Sequence, residues 1–310
     1  MSPAGRPFRF SVALPPGGLN GEVRTFARKA EDLGFDLVAA PDHLVDSLPP
    51  FLALMHAADA TSTLKVATMV LNNDLRHPAL VAREAAALQE LSGGRFELGL
   101  GAGHAEPEYR SIGLRFDPPS VRVTRLAEAV PIMKRLLAGE TVDHSGTHYE
   151  LRHHRPFPVP VSPPQFLIGG NGRDLLRLAA RTADIVGFTG LGRTLADGQH
   201  HETTGFGPDA VGRRLAIVRE AAGARFSALE LNTLVQAVVV TERVEDTAAK
   251  LASRLSLAPE EALQSPYLLL GSVARMVDVL HERRDRWGFS YVSVFAHSID
   301  MIAPVVAKLR

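Results

Sequence analysis

The sequence predicts an α/β fold of the (β/α)₈ barrel type, carried by one domain over residues 1–310. Three observations predict it. Short apolar runs alternate with longer amphipathic stretches along the whole chain, eight strand–helix units can be counted, and polar or glycine residues follow the runs directly. Repeated strand–helix units favour a parallel sheet, and eight of them in about 250 to 300 residues suit a closed barrel better than an open doubly wound sheet.

The first unit is "FRFSVALP" (Phe8 to Pro15) with "GEVRTFARKAEDLG" ending at Gly34. The next three are "FDLVAAP" with "FLALMHAADAT", "LKVATMVLN" with "PALVAREAAALQEL", and "RFELGLG" with "SVRVTRLAEAVPIMKRLLAG". Four more follow: "PQFLIGG" with "RDLLRLAART", "ADIVGFTG" with "PDAVGRRLAIVREAAG", "LELNTLVQAVVVT" with a helical region from Arg243 to Trp287, and "SYVSVFA" with "SIDMIAPVVAKL". Apolar periodicity near 3.6 marks the helices, and β-branched or apolar runs of four to eight residues mark the strands.

Two stretches interrupt the pattern and read as insertions after the fourth and sixth units. Gly139 to Pro164, rich in Pro, His and Gly, reads as a small hairpin. Gly190 to Pro208 follows the sixth strand, where a barrel carries functional loops, and reads as a lid.

Composition narrows the function. With 34 basic and 34 acidic residues interspersed, the chain has no basic field for nucleic acid. No run of about 18 apolar residues spans a membrane, and the N-terminal apolar run is too short for a signal peptide, so the reading is cytoplasmic. Zero cysteines exclude disulfides, thiolate zinc and iron–sulfur clusters, so any redox chemistry needs a bound cofactor.

Active sites of such barrels lie at the C-terminal strand ends. There stand Asp42 and His43 in "APDHL", Asn72 in "TMVLNND", and the segment "GLGAGHAEPEY". Gly99, Gly101 and Gly103 alternate at a strand end, which leaves one face bare for a planar ring. A dinucleotide fingerprint fits less well, because the third glycine comes one residue early and His104 stands in its place. "IGGNGRD" places side-chain-free amides before an amphipathic helix, an anion site to which Arg173 adds charge. A phosphorylated planar cofactor satisfies both features. His43 beside Asp42 suits proton transfer near neutral pH. His144, His148, His153, His154, His200 and His201 lack ligand spacing on a helix, so no metal is expected and they read as solvated loop residues.

The order and spacing of "APDHL", the stretch from Val66 to Tyr109, "RLAEAVPIMKRLLAGE" and "FLIGGNG" resemble the luciferase-like monooxygenase superfamily, in its branch dependent on the deazaflavin coenzyme F420. The resemblance implies hydride transfer between that coenzyme and a small organic substrate. Asp42 and His43 would lie near the ring, and Met69 and Val70 at a bulge that often holds a non-prolyl cis peptide. Gly101, Ala102 and Gly103 would line the ring, and Gly169, Gly170, Asn171, Gly172 and Arg173 would hold the phosphate. His43, with His104 or Glu108, would move the substrate proton, with Leu14, Leu44, Phe188 and the two insertions as apolar wall. Ser47 stands where sugar-phosphate dehydrogenases carry a tryptophan, which disfavours that substrate class. A homodimer and a separate reductase supplying reduced coenzyme are also implied. The alternatives are an FMN-dependent monooxygenase using reduced flavin and oxygen, and a non-catalytic flavin-binding or regulatory barrel.

Overall fold

The computed structural model describes residues 5–19, 21–45, 47–192, 202–203 and 205–310. The first barrel strands are β1 (Arg9–Ala13), β2 (Leu37–Ala40) and β3 (Lys65–Thr68), with a short β4 (Leu71–Asn72) resuming after an interruption at Met69 and Val70. The wall continues through β5 (Phe96–Gly101), β8 (Gln165–Gly169), β9 (Ile185–Phe188), β10 (Glu230–Leu234) and β13 (Phe289–Val294). These strands pair in parallel in the order β3, β2, β1, β13, β10, β9, β8, β5, and the β3–β5 register Val66 to Phe96 and Ala67 to Glu97 closes the ring. The barrel expectation is met, with β3 and β4 sharing the third position.

Between strands run α1 (Glu22–Asp32), α2 (Pro50–Ala60), α3 (Pro78–Leu91), the short α4 (Glu106–Ser111), α5 (Pro119–Leu137), α6 (Arg173–Thr182), α7 (Pro208–Ala222), α10 (Val273–Trp287) and, after β13, α11 (Ile299–Lys308). Their apolar stripes meet the outward residues of the strands, such as Val12, Val38, Val66, Leu98 and Val186, in one continuous core. Several helices begin at proline, whose fixed φ and missing N–H suit the first helical position; α3 adds His77 as cap, its Nδ1 accepting from the Ala79 amide at 3.2 Å.

Inside the barrel the alternation of strand residues produces layers. The lowest is ionic. Arg9 bonds Glu97 and, at 2.6 Å, Glu230; Lys65 reaches Glu97 at 3.2 Å; the Arg9 guanidinium stacks over Tyr291, 4.7 Å from its centroid. Burial pushes the Glu230 carboxyl and the Tyr291 phenol up, and the Arg9 charge opposes both shifts. Above it Leu37, Ala39, Ala67, Leu167, Ile185 and Tyr291 form a separate apolar plug. The uppermost inward positions are small: Ala13, Gly101, Gly169, Gly187 and Ser293. The barrel is therefore filled below and roomy above.

Two expectations are corrected. "LELNTLVQAVVVT" is not one strand: β10 ends at Leu234, and β11 (Ala237–Val240) leaves the barrel to pair with β12 (Leu268–Gly271). The region from Arg243 to Trp287 is not wholly helical, since α8 (Val244–Leu255), α9 (Pro259–Gln264) and β12 precede α10. The buried Arg283 anchors the turn before β12 by donating to the carbonyls of Ser265 and Leu268 at 2.6 and 2.5 Å, and burial pushes its guanidinium down to about 9.

The insertion from 139 to 164 does hold a hairpin, β6 (Val142–Ser145) against β7 (Glu150–His154). It lies along α5, and its Tyr149 hydroxyl accepts from the Asn73 side-chain amide at 3.1 Å. Glu128 of α5 accepts the amides of Thr147, His148 and Tyr149 and pairs with His144 at 3.0 Å, so His144 holds the hairpin rather than facing only solvent. Most of the expected lid, together with His200 and His201, lies outside the described residues.

Candidate active site

The C-terminal end of the third strand shapes the mouth. After Thr68 the chain makes a non-prolyl cis peptide between Met69 and Val70 and then returns to the sheet, pairing Leu71 with Leu100 and Asn72 with Gly101. The expectation of a cis bond at this bulge is met. The bare face at Gly99 and Gly101 is not. A Cβ on Gly99 would stand 2.0 Å from the Thr68 carbonyl oxygen, and one on Gly101 would stand 2.7 Å from Val70 Cγ2. Side chains are absent from the path of the protein's own bulge, and any ring at the mouth meets Met69 and Val70 rather than naked strand.

Gly103 has its own reason. With φ at 75° it adopts the left-handed region, and a Cβ there would lie 1.9 Å from the Tyr109 hydroxyl and 2.6 Å from Asn72 Oδ1. That hydroxyl donates to Asn72 Oδ1 at 2.9 Å, and Asn72 Oδ1 also accepts the Asp74 amide at 3.1 Å. Burial and the nearby Asp74 carboxylate push the Tyr109 phenol well up, so it stays a neutral donor. From behind, the buried Arg122 donates to the Ala102 carbonyl at 3.2 Å and to the Asp117 carbonyl at 2.6 Å. Asn72, Gly101, Ala102 and Gly103 are thus a braced rim.

Asp42 is buried beneath the bulge, with both carboxylate oxygens engaged. Oδ2 accepts the Asn72 amide at 2.9 Å and Arg76 at 2.5 Å, while Oδ1 accepts the second Arg76 nitrogen at 3.0 Å. This bidentate pair, with the Asn72 amide, fixes the chain just after residues 69 and 70. Its neighbour His43 points elsewhere. His43 Nδ1 lies 2.7 Å from Glu108 Oε1, and Glu108 Oε2 accepts the Leu44 amide at 3.2 Å. A carboxylate has no proton to give, so Nδ1 carries the hydrogen and Nε2 is left as acceptor. The His104 ring stands edge-on to His43, 5.5 Å between centroids. Glu106 is apart, paired with Arg110 on the surface.

The glycine cluster after β8 lies at the same end. A Cβ on Gly101 would be 3.7 Å from the Gly169 carbonyl oxygen, so the two glycine segments are adjacent. Asn171 donates to Thr189 Oγ1 at 2.5 Å and to the Leu191 carbonyl at 2.6 Å, which sets the turn. Gly172 is the N-terminal cap of α6 with no side chain closing it, and nothing lies within 4 Å of where its Cβ would be. The first amides of α6 and the exposed Arg173 therefore face open space, the setting in which a helix N-terminus receives a phosphate.

On the opposite wall, β1, β2 and β13 enclose a cavity of about 240 Å³ reached past His43, Met69, Ser47 and Leu48. In the closed order β1 stands four strands from β8 in either direction. Leu14 lines this cavity as expected. Phe188 does not, being fully buried against Phe289 outside the barrel wall, and Leu44 is exposed beside the mouth. The hairpin insertion contributes nothing to the lining.

Sequence reasoning missed Arg76, Tyr109 and Arg122, which hold the rim without belonging to any glycine or Asp–His motif. The one available sign was an arginine and a tyrosine close to polar strand ends.

The family model described as luciferase-like monooxygenase matches residues 7–289. The F420-dependent glucose-6-phosphate dehydrogenase of Microbacterium testaceum is 33% identical over 173 residues, 53% of this chain and 51% of that protein. The 5,10-methylenetetrahydromethanopterin reductase of Archaeoglobus fulgidus is 32% identical over 182 residues, 57% of this chain and 52% of that protein. The chain thus spans about half the length of these curated relatives. Among solved structures, an F420-dependent secondary alcohol dehydrogenase in complex with an F420-acetone adduct superposes with a TM-score of 0.77 at 19% identity, over 98% of this chain and 100% of that one, a likeness of fold. With the match running through nearly every strand of the barrel, the chain belongs to the luciferase-like monooxygenase family.

Proposed function

We propose that the protein is an oxidoreductase that uses coenzyme F420 to exchange a hydride with a small organic substrate. The observation that carries the reading is the sharing of one barrel mouth by the cis-peptide bulge, the His43–Glu108 pair and the open amides of α6. The choice of F420 over flavin follows the glucose-6-phosphate dehydrogenase of Microbacterium testaceum, named F420-dependent, which matches about half of the chain.

The residues present fit such a coenzyme. Gly170, Asn171, Gly172 and Arg173 would hold its phosphate, since a glycine turn without a capping side chain offers amides and one cation to an anion. Met69 and Val70 would support the ring, with Gly101 to Gly103 at its edge. When bound, the coenzyme supplies the carbon that takes or gives the hydride. The chain supplies position and a proton. His43 Nε2 accepts or returns the substrate proton, and Glu108 keeps the hydrogen of the imidazole on Nδ1, a role worth roughly 10² to 10⁴ in rate. Asp42 acts through the bulge it ties down and not on the ring, because its oxygens are already engaged. His104, edge-on to His43, limits how that ring rotates.

No helix among the described residues is long and apolar enough to cross a membrane. A cytoplasmic setting, pairing as a homodimer and a separate enzyme reducing the coenzyme belong to the same proposal and rest on the family resemblance. Titration of the purified protein with F420 and, separately, with FMN, read by fluorescence quenching, tests the coenzyme. Micromolar binding of F420 with weaker FMN is expected. The reverse preference makes the protein a flavin-dependent monooxygenase, and binding of neither makes it a non-catalytic barrel.

A further inference from the structure

We infer that the substrate is uncharged and largely apolar at its reacting end, a neutral alcohol or ketone seated in the cavity between β1, β2 and β13. The inference deepens the proposed hydride-transfer reading and rests on it for the identity of the reacting group. Among the described residues the cavity lining holds no Lys, Arg, Asp or Glu, and His43 is its one titratable side chain. The remainder is carbon-rich, with Leu14, Val23, Leu48, Leu234 and Phe295 around the space. A phosphate or carboxylate brought here loses its water and meets no counter-charge, so it is disfavoured against a neutral group.

Among the described residues, the arginines of the rim are committed elsewhere or stand across the mouth. Arg76 is bidentate on Asp42, Arg122 is turned to the carbonyls of residues 102 and 117, and Arg173 sits on the far wall by β8. The floor is polar but neutral. Ser11 Oγ donates to Ser293 Oγ at 2.6 Å, and Asn232 Nδ2 donates to the same oxygen at 2.7 Å. Accepting twice, Ser293 keeps its own proton for a third partner, and Ser293 lines the cavity. One hydroxyl donor below and one imidazole acceptor at the entrance are complementary to a single hydroxyl, and the hydroxyl donor alone to a carbonyl oxygen in the same place. At about 240 Å³ the space is smaller than the roughly 300 Å³ at which drug-sized pockets begin, so the part of the substrate it takes is small. Beyond it, Leu19, Leu44 and Val45 are exposed apolar side chains near the same loops.

The test measures binding by isothermal calorimetry and saturation-transfer NMR on coenzyme-free and F420-saturated protein, with cyclohexanone and 2-heptanol against glucose 6-phosphate and 4-oxopentanoate. The neutral pair is expected to bind at least about tenfold more tightly than either anion. A Ser47→Lys variant, which places a cation on the lining, narrows or reverses that preference; a Leu48→Trp variant, which fills the space, weakens cyclohexanone. Retained circular dichroism and melting temperature show that each variant folds. Equal or tighter binding of an anion, no binding of either neutral probe, or cyclohexanone binding unmoved by Leu48→Trp overturns the inference. Failure to take up F420 falls on the coenzyme reading instead, while the preference is still read from the coenzyme-free protein.

Discussion

Replacing Glu108 with glutamine keeps the shape of the side chain and removes the arrangement that leaves His43 Nε2 as an acceptor. Each carboxylate oxygen now accepts one hydrogen: Oε1 from His43 Nδ1 at 2.7 Å and Oε2 from the Leu44 amide at 3.2 Å. An amide has one oxygen for two donors. If that oxygen faces Leu44, the NH₂ group faces Nδ1, which must then be the acceptor, and the imidazole hydrogen moves to Nε2 where it blocks proton uptake. If the oxygen faces His43, the hydrogen stays on Nδ1, but the NH₂ opposes the Leu44 amide and a charge-assisted bond becomes a neutral one, a loss of about 1 kcal/mol. The first arrangement removes most of the proton-transfer contribution, roughly 10² to 10⁴ in rate, and the second about a factor of ten. Single-turnover kinetics of F420 reduction should therefore slow at least tenfold while F420 affinity stays within about threefold. Nitrogen-15 NMR of labelled histidine reports which ring nitrogen carries the hydrogen. A variant with unchanged turnover and unchanged His43 tautomer refutes the assignment.

Gly103→Ala forces a left-handed residue and a Cβ into the Tyr109 and Asn72 oxygens, which should cost about 2 to 4 kcal/mol and lower the melting temperature by about 3 to 6 °C in calorimetry. Arg173→Ala should raise the F420 dissociation constant by about three- to tenfold at low salt, and the gap should shrink in 0.5 M salt, at which the Debye length falls to about 4 Å; a gap unaffected by salt would argue against a phosphate contact. Glu128 is held below its ordinary value of 4.5, since the burial that raises it is outweighed by hydrogen bonds from His144 and the amides of Tyr149 and His148. The depressed carboxyl contributes stability above pH 4.5 that is lost as pH falls through the folded value, so hydrogen exchange across residues 142–154 should accelerate selectively on acidification, and Glu128→Gln should abolish that dependence.

The strands of the barrel could be read because a wall buried on both faces leaves a near-continuous apolar run, as in Leu37–Ala40 and Ile185–Phe188. Helices bounded by Pro78 or by Gly172 were readable for the opposite reason, since caps and first-turn prolines are local. Leu268–Gly271 escaped because four apolar residues between helical patterns fit either period, and its partner, Ala237–Val240, lies about thirty residues upstream. In the site, Asp42, His43 and the glycine turns stood out by residue type at strand ends. What they do depends on contacts made across the fold: Asp42 to Arg76, His43 to Glu108, Gly99 to Thr68. A glycine shows that a Cβ is excluded. It does not say whether a ligand or the chain itself excludes it, and here it is the chain: the Thr68 backbone at Gly99 and the Val70 side chain at Gly101.

The ionic floor made by Arg9, Lys65, Glu97 and Glu230 gives the barrel a closed bottom. A vessel open at one end alone imposes an order of traffic. If phosphate and ring occupy the wall by β8 and the bulge, whatever reaches the space by β1 must pass beside them and leave by the same route, so departure of the smaller molecule and exchange of the larger one compete for one doorway. Dead-end inhibition patterns, rather than affinity alone, will carry the imprint of that geometry.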